Sequence, residues 1–250
     1  MERSARAAVI TFFTGDPIVA GAPTVLGEDA AQHLRALRAG AGEQVALRDG
    51  NGGAGTGVIA RVAKRSITID VVDRSTIDRH APVHLLVPVA DRDRMLMLAE
   101  KCTELSATSW RPVMWRRSRS VGPLGDGPAF QARLRGRMVS ALTQSGGGWL
   151  PDVHPSAPVA RAIAAAPEGT RLLLDAESRQ SISSLRLSAP VVIAIGPEGG
   201  FDSAERDEMI GGGFIPVRIA ASVLRFETAG LAALAVVRCA LDTEAEHDVA

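Results

Sequence analysis

From residue 84 onward the chain alternates short, wholly apolar runs with segments of helical period, and this constrains its fold more than any other feature. HLLVPVA (84–90), RLLLDA (171–176) and VVIAI (191–195) carry almost no polar residue. Strands of that kind must be buried on both faces. Between and after them lie DRMLMLAEKCTELSA (93–107), AFQARLRGRMVSALTQS (129–145), SAERDEMIGGG (203–213) and LRFETAGLAALAVVRCALDTE (224–244), which read as helices. WRPVMW (110–115) and FIPVRIA (214–220) add strands, and RRSRSVGPLGDGP (116–128) reads as a loop. The alternation predicts an α/β domain built on a parallel sheet with helices on both sides.

The residues before it follow another rule. AVITFF (8–13), PTVL (23–26), QVALRD (44–49), GVIARVA (57–63) and SITIDVV (66–72) are separated by turn material, including AGAGE and DGNGGAGTG (49–57). Ser66 to Val71 alternates polar and apolar, so one face is wet and one buried. A single helix, EDAAQHLRALRAG (28–40), interrupts the strands, with Gly40 as its stop. A small β-barrel of the nucleic-acid-binding kind fits this segment. The expected division is a barrel over 1–76 and an α/β domain over 80–250.

At 250 residues, 46% apolar and 22% charged, the chain has the composition of an ordinary globular protein. No apolar run approaches the roughly 20 residues that span a membrane, and the N-terminus lacks a signal-peptide pattern, so a cytoplasmic protein is expected. Cys102 and Cys239 suggest buried free thiols rather than a disulfide framework. The five histidines are scattered without zinc spacing, so no metal is expected. The net charge is zero but uneven: residues 92–137 hold ten Lys/Arg against four acids, and residues 138–250 eight Arg against fourteen acids. A basic stretch of this kind suits a polyanion, and a solvated helix face accounts for it equally well.

Two stretches carry the chemistry. Gly196-Pro197-Glu198-Gly199-Gly200 follows a buried strand's carboxyl end, where open α/β sheets bind ligands. It matches neither GxGxxG nor a phosphate loop. Asp202 and Glu205 form a capping pair for the next helix, which disfavours an anion there and favours a ligand read by main-chain groups. A tight turn needing positive φ explains the same glycines. In the second stretch, Ile219 to Ala229, Arg225 could hold a phosphate or a developing oxyanion, or pair with Glu227 or Glu198 to fix the loop.

These residues also carry a family resemblance. IGPEGGF (195–201), GF-x-PV (213–217), LR-x-ETA (224–229), KCTEL (101–105), RPVMWRRSRS (111–120), TQSGGGWLP (143–151) and HLRALRAGAGE (33–43) stand in the order seen in the bacterial small-subunit ribosomal RNA (uridine-N3) methyltransferases. Together they cover nearly the whole chain, which resembles this branch of the SPOUT superfamily. The resemblance implies a trefoil-knotted parallel-sheet domain preceded by a PUA-like RNA-binding barrel. It implies S-adenosylmethionine as cofactor, held by Leu173, Leu174, Asp175, Ile195, Gly196, Gly199, Gly200, Ile219, Ala220, Leu224 and Thr228. It further implies a homodimer formed through the knot domain, acting on ribosomal RNA.

On that basis Arg225 is expected to stabilise negative charge on a uracil carbonyl oxygen, with Glu198 or Glu227 positioning the base or accepting the N3 proton. Arg35, Arg38, Arg116, Arg117, Arg119 and Gln144 are expected on the RNA. The chain departs from the family at Thr11 (an arginine there), Thr143 (glutamate) and Gly147 (arginine). It departs again at Ser106 (glycine), at Ala220-Ala221-Ser222 (glycine-proline-arginine) and at Phe226 (threonine). The departures leave two alternatives: a paralogue acting on another RNA, and a non-catalytic RNA-binding or ribosome-assembly protein.

Overall fold

The structure, a computed structural model, describes residues 9–118 and 127–247. Two compact units result. One ends at Arg79 and also takes in Leu142–Trp149; the other comprises His80–Ala141 and the residues from Leu150 onward.

In the first unit, β1 (Ile10–Phe13), β2 (Pro23–Leu26), β3 (Gln44–Arg48), β4 (Gly53–Val62) and β5 (Ile67–Thr76) form one sheet in the order β1-β3-β4-β5-β2. Only β1 and β3 run parallel. The sheet wraps a single core that includes Phe12, Leu26, Val45, Leu47, Ile59, Ile67 and Ile69, closed by Leu34 of α1 (Glu28–Ala36). Gly40 does not stop that helix. It ends at Leu37, after which Arg38 itself takes φ 57° and the Ala39 N–H returns to the Leu34 carbonyl.

The glycine tract also differs from expectation, because Gly53–Gly57 is strand rather than turn. A Cβ on Gly55 would lie 2.6 Å from the Asp73 carbonyl oxygen, and one on Gly57 2.6 Å from Ile69 Cγ2. The glycines therefore admit the tight β4–β5 approach, and the register shifts beside Gly57. Leu142–Trp149 joins this unit through Trp149, whose Nε1 donates to the Ile77 carbonyl at 2.8 Å, and through the Gly52 N–H, which donates to the Gly148 carbonyl.

In the second unit the strands are β6 (Val83–Pro88), β7 (Ser109–Met114), β8 (Asp152–Val153), β9 (Ala157–Pro158), β10 (Thr170–Leu174), β11 (Val191–Ile195) and β12 (Ile215–Val217). All pair in parallel in the order β12-β10-β11-β6-β7-β8, with β9 also on β7. Alternate residues explain why these runs are apolar throughout. Leu85, Val87, Leu172, Leu174, Ile193 and Ile195 enter one core with α2 (Arg92–Glu104), α3 (Pro128–Ser145) and α6 (Phe226–His247). Leu86, Leu173, Val192 and Ala194 enter a second with α4 (Val159–Ala164) and α5 (Ser203–Gly211). The strand β11 is laid between β6 and β10 although both precede it in the chain. The sheet order therefore reverses beside its carboxyl end, the position where such sheets hold ligands.

Cys102 is buried and Cys239 is exposed, so only one of the two thiols is a core residue. Burial pushes the Cys102 thiol well above its ordinary pKa. Cys239 lies on the outward face of α6. No helix among the described residues is long and apolar enough to cross a membrane, and none of their His, Cys, Asp or Glu side chains cluster as a metal site would require.

Candidate functional site

Three chain segments meet at the carboxyl ends of β10, β11 and β12 around a cavity of about 370 Å³. The first is Leu174–Glu177, the second Ile195–Phe201, and the third runs from Val217 to Leu224, with Arg117, Arg206 of α5, and Phe226 and Ala229 of α6 completing the wall. That volume is in the lower part of the range for small-molecule sites.

Each segment is shaped by local chemistry. After β10, the Asp175 carboxylate accepts the Glu177 N–H at 2.9 Å and pairs with Arg206 Nε of α5 at 2.8 Å, so a buried acid fixes the turn. After β11, the Gly200 N–H closes a turn onto the Pro197 carbonyl, and Gly200 has φ 72°. A Cβ on Gly196 would meet the Phe201 ring at 2.7 Å, and that ring packs edge-on against Trp115 at 5.0 Å between centroids. Asp202 then caps α5 with a full capping box: its side chain takes the helix N–H groups while Glu205 returns to the Asp202 N–H. The third segment is different. Among the described residues, no main-chain N–H from Ile219 to Leu224 has a hydrogen-bond partner within the chain. Five of these six residues line the cavity, all but Ala221, and amides without a protein partner suit a ligand recognised by its hydrogen-bond acceptors.

Of the residues expected to hold a cofactor, Leu174, Asp175, Ile195, Gly196, Gly199, Gly200, Ile219, Ala220 and Leu224 line this cavity. Leu173 faces the second core, because successive strand residues point to opposite faces. Thr228 is exposed on the first turn of α6 and outside the lining. Glu198 lines the cavity; Glu227 and Arg225 do not.

Arg225 is exposed and has no side-chain partner among the described residues. The loop-fixing pair lies elsewhere. Arg94, near the start of α2, donates through Nη1 to Glu198 Oε1, and its Nε lies 3.7 Å from Glu227 Oε1. Glu227 is 5% exposed, and its Oε2 is buried without a partner. Arg94 escaped sequence reasoning, and an arginine in the first turn after the Asp91 cap was the available signal.

The remaining residues divide by environment. The Arg116 N–H donates to Glu205 Oε1 at 2.6 Å and its guanidinium to Asp202 at 3.2 Å, while Arg117 Nη1 donates to the Gly199 carbonyl at 3.3 Å. Both are exposed, yet both brace the β11 loop and α5. Arg119 lies outside the described residues. In the first unit Arg35 donates to the Lys64 carbonyl, and Arg38 and Gln144 are exposed.

A parallel α/β domain with a cavity at its topological switch point, following a small β unit, defines a class of ligand-binding fold. A family described as RNA methyltransferase domain matches residues 78–238, and one described as RNA methyltransferase PUA domain matches residues 26–72. The chain belongs to the RNA methyltransferase family. It is 28% identical over 220 residues to ribosomal RNA small subunit methyltransferase E of Synechocystis, covering 84% of this chain and 70% of that one. A Legionella pneumophila structure solved with bound SAM superposes with TM-score 0.87 at 26% identity, covering 94% of this chain and 98% of that one. Ribosomal RNA small subunit methyltransferase E of Neisseria gonorrhoeae, bound to S-adenosyl methionine, gives 0.84 at 26%, covering 92% and 97%.

Proposed function

We propose that the protein transfers a methyl group from S-adenosylmethionine to N3 of a uridine in small-subunit ribosomal RNA, as a cytoplasmic homodimer with a knotted α/β domain. The observation that carries the reading is the cavity itself, whose third wall offers a run of unpaired main-chain N–H groups. Relatives of matching fold were solved with this cofactor, which supports the same use here. The insertion of β11 between β6 and β10 supports a threaded chain.

The residues present fit the cofactor. Leu174, Asp175, Gly196, Ile219, Ala220 and Leu224 would hold it, and when bound it supplies an electrophilic methyl group on a sulfonium. The chain's own part begins with the base, which must leave its stack because N3 lies on the pairing edge. As N3 loses its proton, negative charge grows on the uracil carbonyl oxygens. The exposed guanidinium of Arg225, without a partner among the described residues, is assigned to that charge, and Glu198 or Glu227 to positioning the base or taking the proton. Each such group contributes roughly 10² to 10⁴ in rate. Arg35, Arg38, Arg116, Arg117, Arg119 and Gln144 are assigned to RNA contacts.

Calorimetry with S-adenosylmethionine and mass mapping of ribosomal RNA from a deletion strain test the reading together. Saturable binding and loss of one 3-methyluridine are expected. Binding with no missing methyl group would leave an RNA-binding protein that had kept a cofactor site, and absence of binding would remove the enzyme reading. Arg225→Ala should keep the cofactor affinity and lose methylation at least a hundredfold.

A further inference from the structure

The helix α2 begins with a local conflict. Asp91 accepts the Arg94 N–H at 3.1 Å and so fixes Arg94 in the first turn. A cation there opposes the positive end of the helix dipole. Natural sequences keep such conflicts where another interaction offsets them. Arg94 meets two carboxylates on different segments: Glu198, which lines the cavity from the β11 loop, and Glu227, in the first turn of α6 beside the lining residue Phe226.

Each carboxylate alone is poorly placed. Glu227 is buried, one of its oxygens has no partner, and an unpaired buried charge is strongly disfavoured. Glu198 sits on a glycine-rich turn that side-chain ties from Arg94 and Arg117 help to hold. A planar guanidinium reaches both at once through different nitrogens of a rigid fork, whereas an ammonium offers its three donors from a single atom on a flexible stem and fixes no direction between them.

We propose that Arg94 is a positioning residue: its guanidinium yokes Glu198 and Glu227 and thereby sets the β11 loop against the start of α6, where Arg225 projects. The assignment rests on the methyltransferase reading above. It predicts that Arg94 governs turnover more than cofactor affinity, because it makes no bond to the first and third cavity segments, Leu174–Glu177 and Val217 to Leu224.

The test uses the full-length protein, small ribosomal subunits from a deletion strain, and S-adenosylmethionine with a labelled methyl group. Arg94→Ala should lower kcat about 10- to 100-fold, with the KM for S-adenosylmethionine and its calorimetric Kd within about threefold of wild type. Arg94→Lys should recover only part of the loss. In a Glu227→Gln background, Arg94→Ala should cost much less than it does alone, since coupled residues are non-additive. A kcat within twofold of wild type in Arg94→Ala, a loss confined to cofactor KM, or full additivity with Glu227→Gln would each overturn the assignment. If Arg94→Ala does not fold, Arg94→Lys decides: a reduced kcat at unchanged cofactor Kd supports the yoke, and wild-type kcat refutes it. Wild-type protein that incorporates no label overturns the methyltransferase reading and Arg94's role with it. Equal incorporation by wild type and Arg94→Ala overturns the role alone.

Discussion

The chain has two glycine-rich stretches that look alike as text, and only the second also lines a cavity. Between Gly50 and Gly57 the missing side chains are filled by neighbours: the Asp49 carboxylate stands where a Cβ of Gly53 would be, Trp149 where one of Gly52 would be, and Ile69 beside Gly57. The backbone there is consumed by a ladder and by close packing. Between Gly196 and Gly200 the backbone also forms one wall of a cavity: a Cβ on Gly196 would press on the Phe201 ring at 2.7 Å and one on Gly199 would lie 3.1 Å from Arg117, while Gly200, with nothing within 4 Å, is restricted by its φ of 72°. The contrast teaches that glycine density marks a place where a side chain is excluded. What excludes it, packed protein or space for a ligand, depends on residues far away in sequence.

That contrast breaks if the two stretches respond alike to added methyl groups. Gly57→Ala should produce the largest effect on stability, about 2–3 kcal/mol, because its Cβ would press on Ile69 Cγ2 at 2.6 Å and on the Asp70 carbonyl at 2.8 Å in a buried sheet. Urea unfolding measures it, and cofactor affinity in the folded fraction should stay as in wild type. Gly196→Ala should do the reverse. Displacing the Phe201 ring costs about 1 kcal/mol of stability, while S-adenosylmethionine affinity falls by roughly tenfold or more as the ring shifts at the cavity wall, read by calorimetry. Should Gly196→Ala bind the cofactor as tightly as wild type, the β11 loop's glycines are packing devices too, and the comparison collapses.

Some of this was legible in the sequence for a plain reason. Apolar runs such as Val191–Ile195 must be buried on both faces, so the parallel sheet followed from five residues at a time. The capping box at Asp202 and Glu205 lies within four residues and was readable for the same reason. What escaped was non-local. Nothing near Arg94 announces Glu198 or Glu227, which are 104 and 133 positions away. Likewise, nothing near Gly57 announces Ile69 as the atom that forbids a side chain. Leu142–Trp149 shares the point: it is built into the first unit by Ile77, Gly52 and Arg48, none of which lies nearby in the chain. Cys239 was misjudged because the final helix is apolar around more of its circumference than its buried face requires.

The two thiols sharpen the comparison with a smaller effect. Cys239, exposed, should react with a thiol reagent at about pH 8 within minutes. Cys102, buried and raised in pKa, should react only through unfolding of the second unit. If the glycines of the first unit act locally, Gly57→Ala leaves the labelling rate of Cys102 within about threefold of wild type. Acceleration by the full loss of stability would show instead that the two units open as one, and the contrast between their glycines would then be one of geometry without independent energetics. Mass spectrometry of peptides labelled over time separates the outcomes.

The smallest effect concerns a position where glycine is absent although the backbone calls for it. Ser106, which stands where the family has glycine, adopts φ 56° at the end of α2. A left-handed residue other than glycine carries roughly 1–2 kcal/mol of strain. Arg238 of α6 holds it there: buried, it donates to the carbonyls of Ser106, Leu105 and Ala81, and burial lowers its pKa from the ordinary arginine value. Ser106→Gly should therefore relieve strain, less about 0.5–1 kcal/mol for the greater freedom of glycine in the unfolded chain. The net gain is about 0.5–1 kcal/mol, seen as a rise of roughly 2 °C in Tm. A fall in Tm would mean that the clamp by Arg238, rather than backbone preference, sets this turn, and that an excluded side chain and a tolerated one can share one conformation.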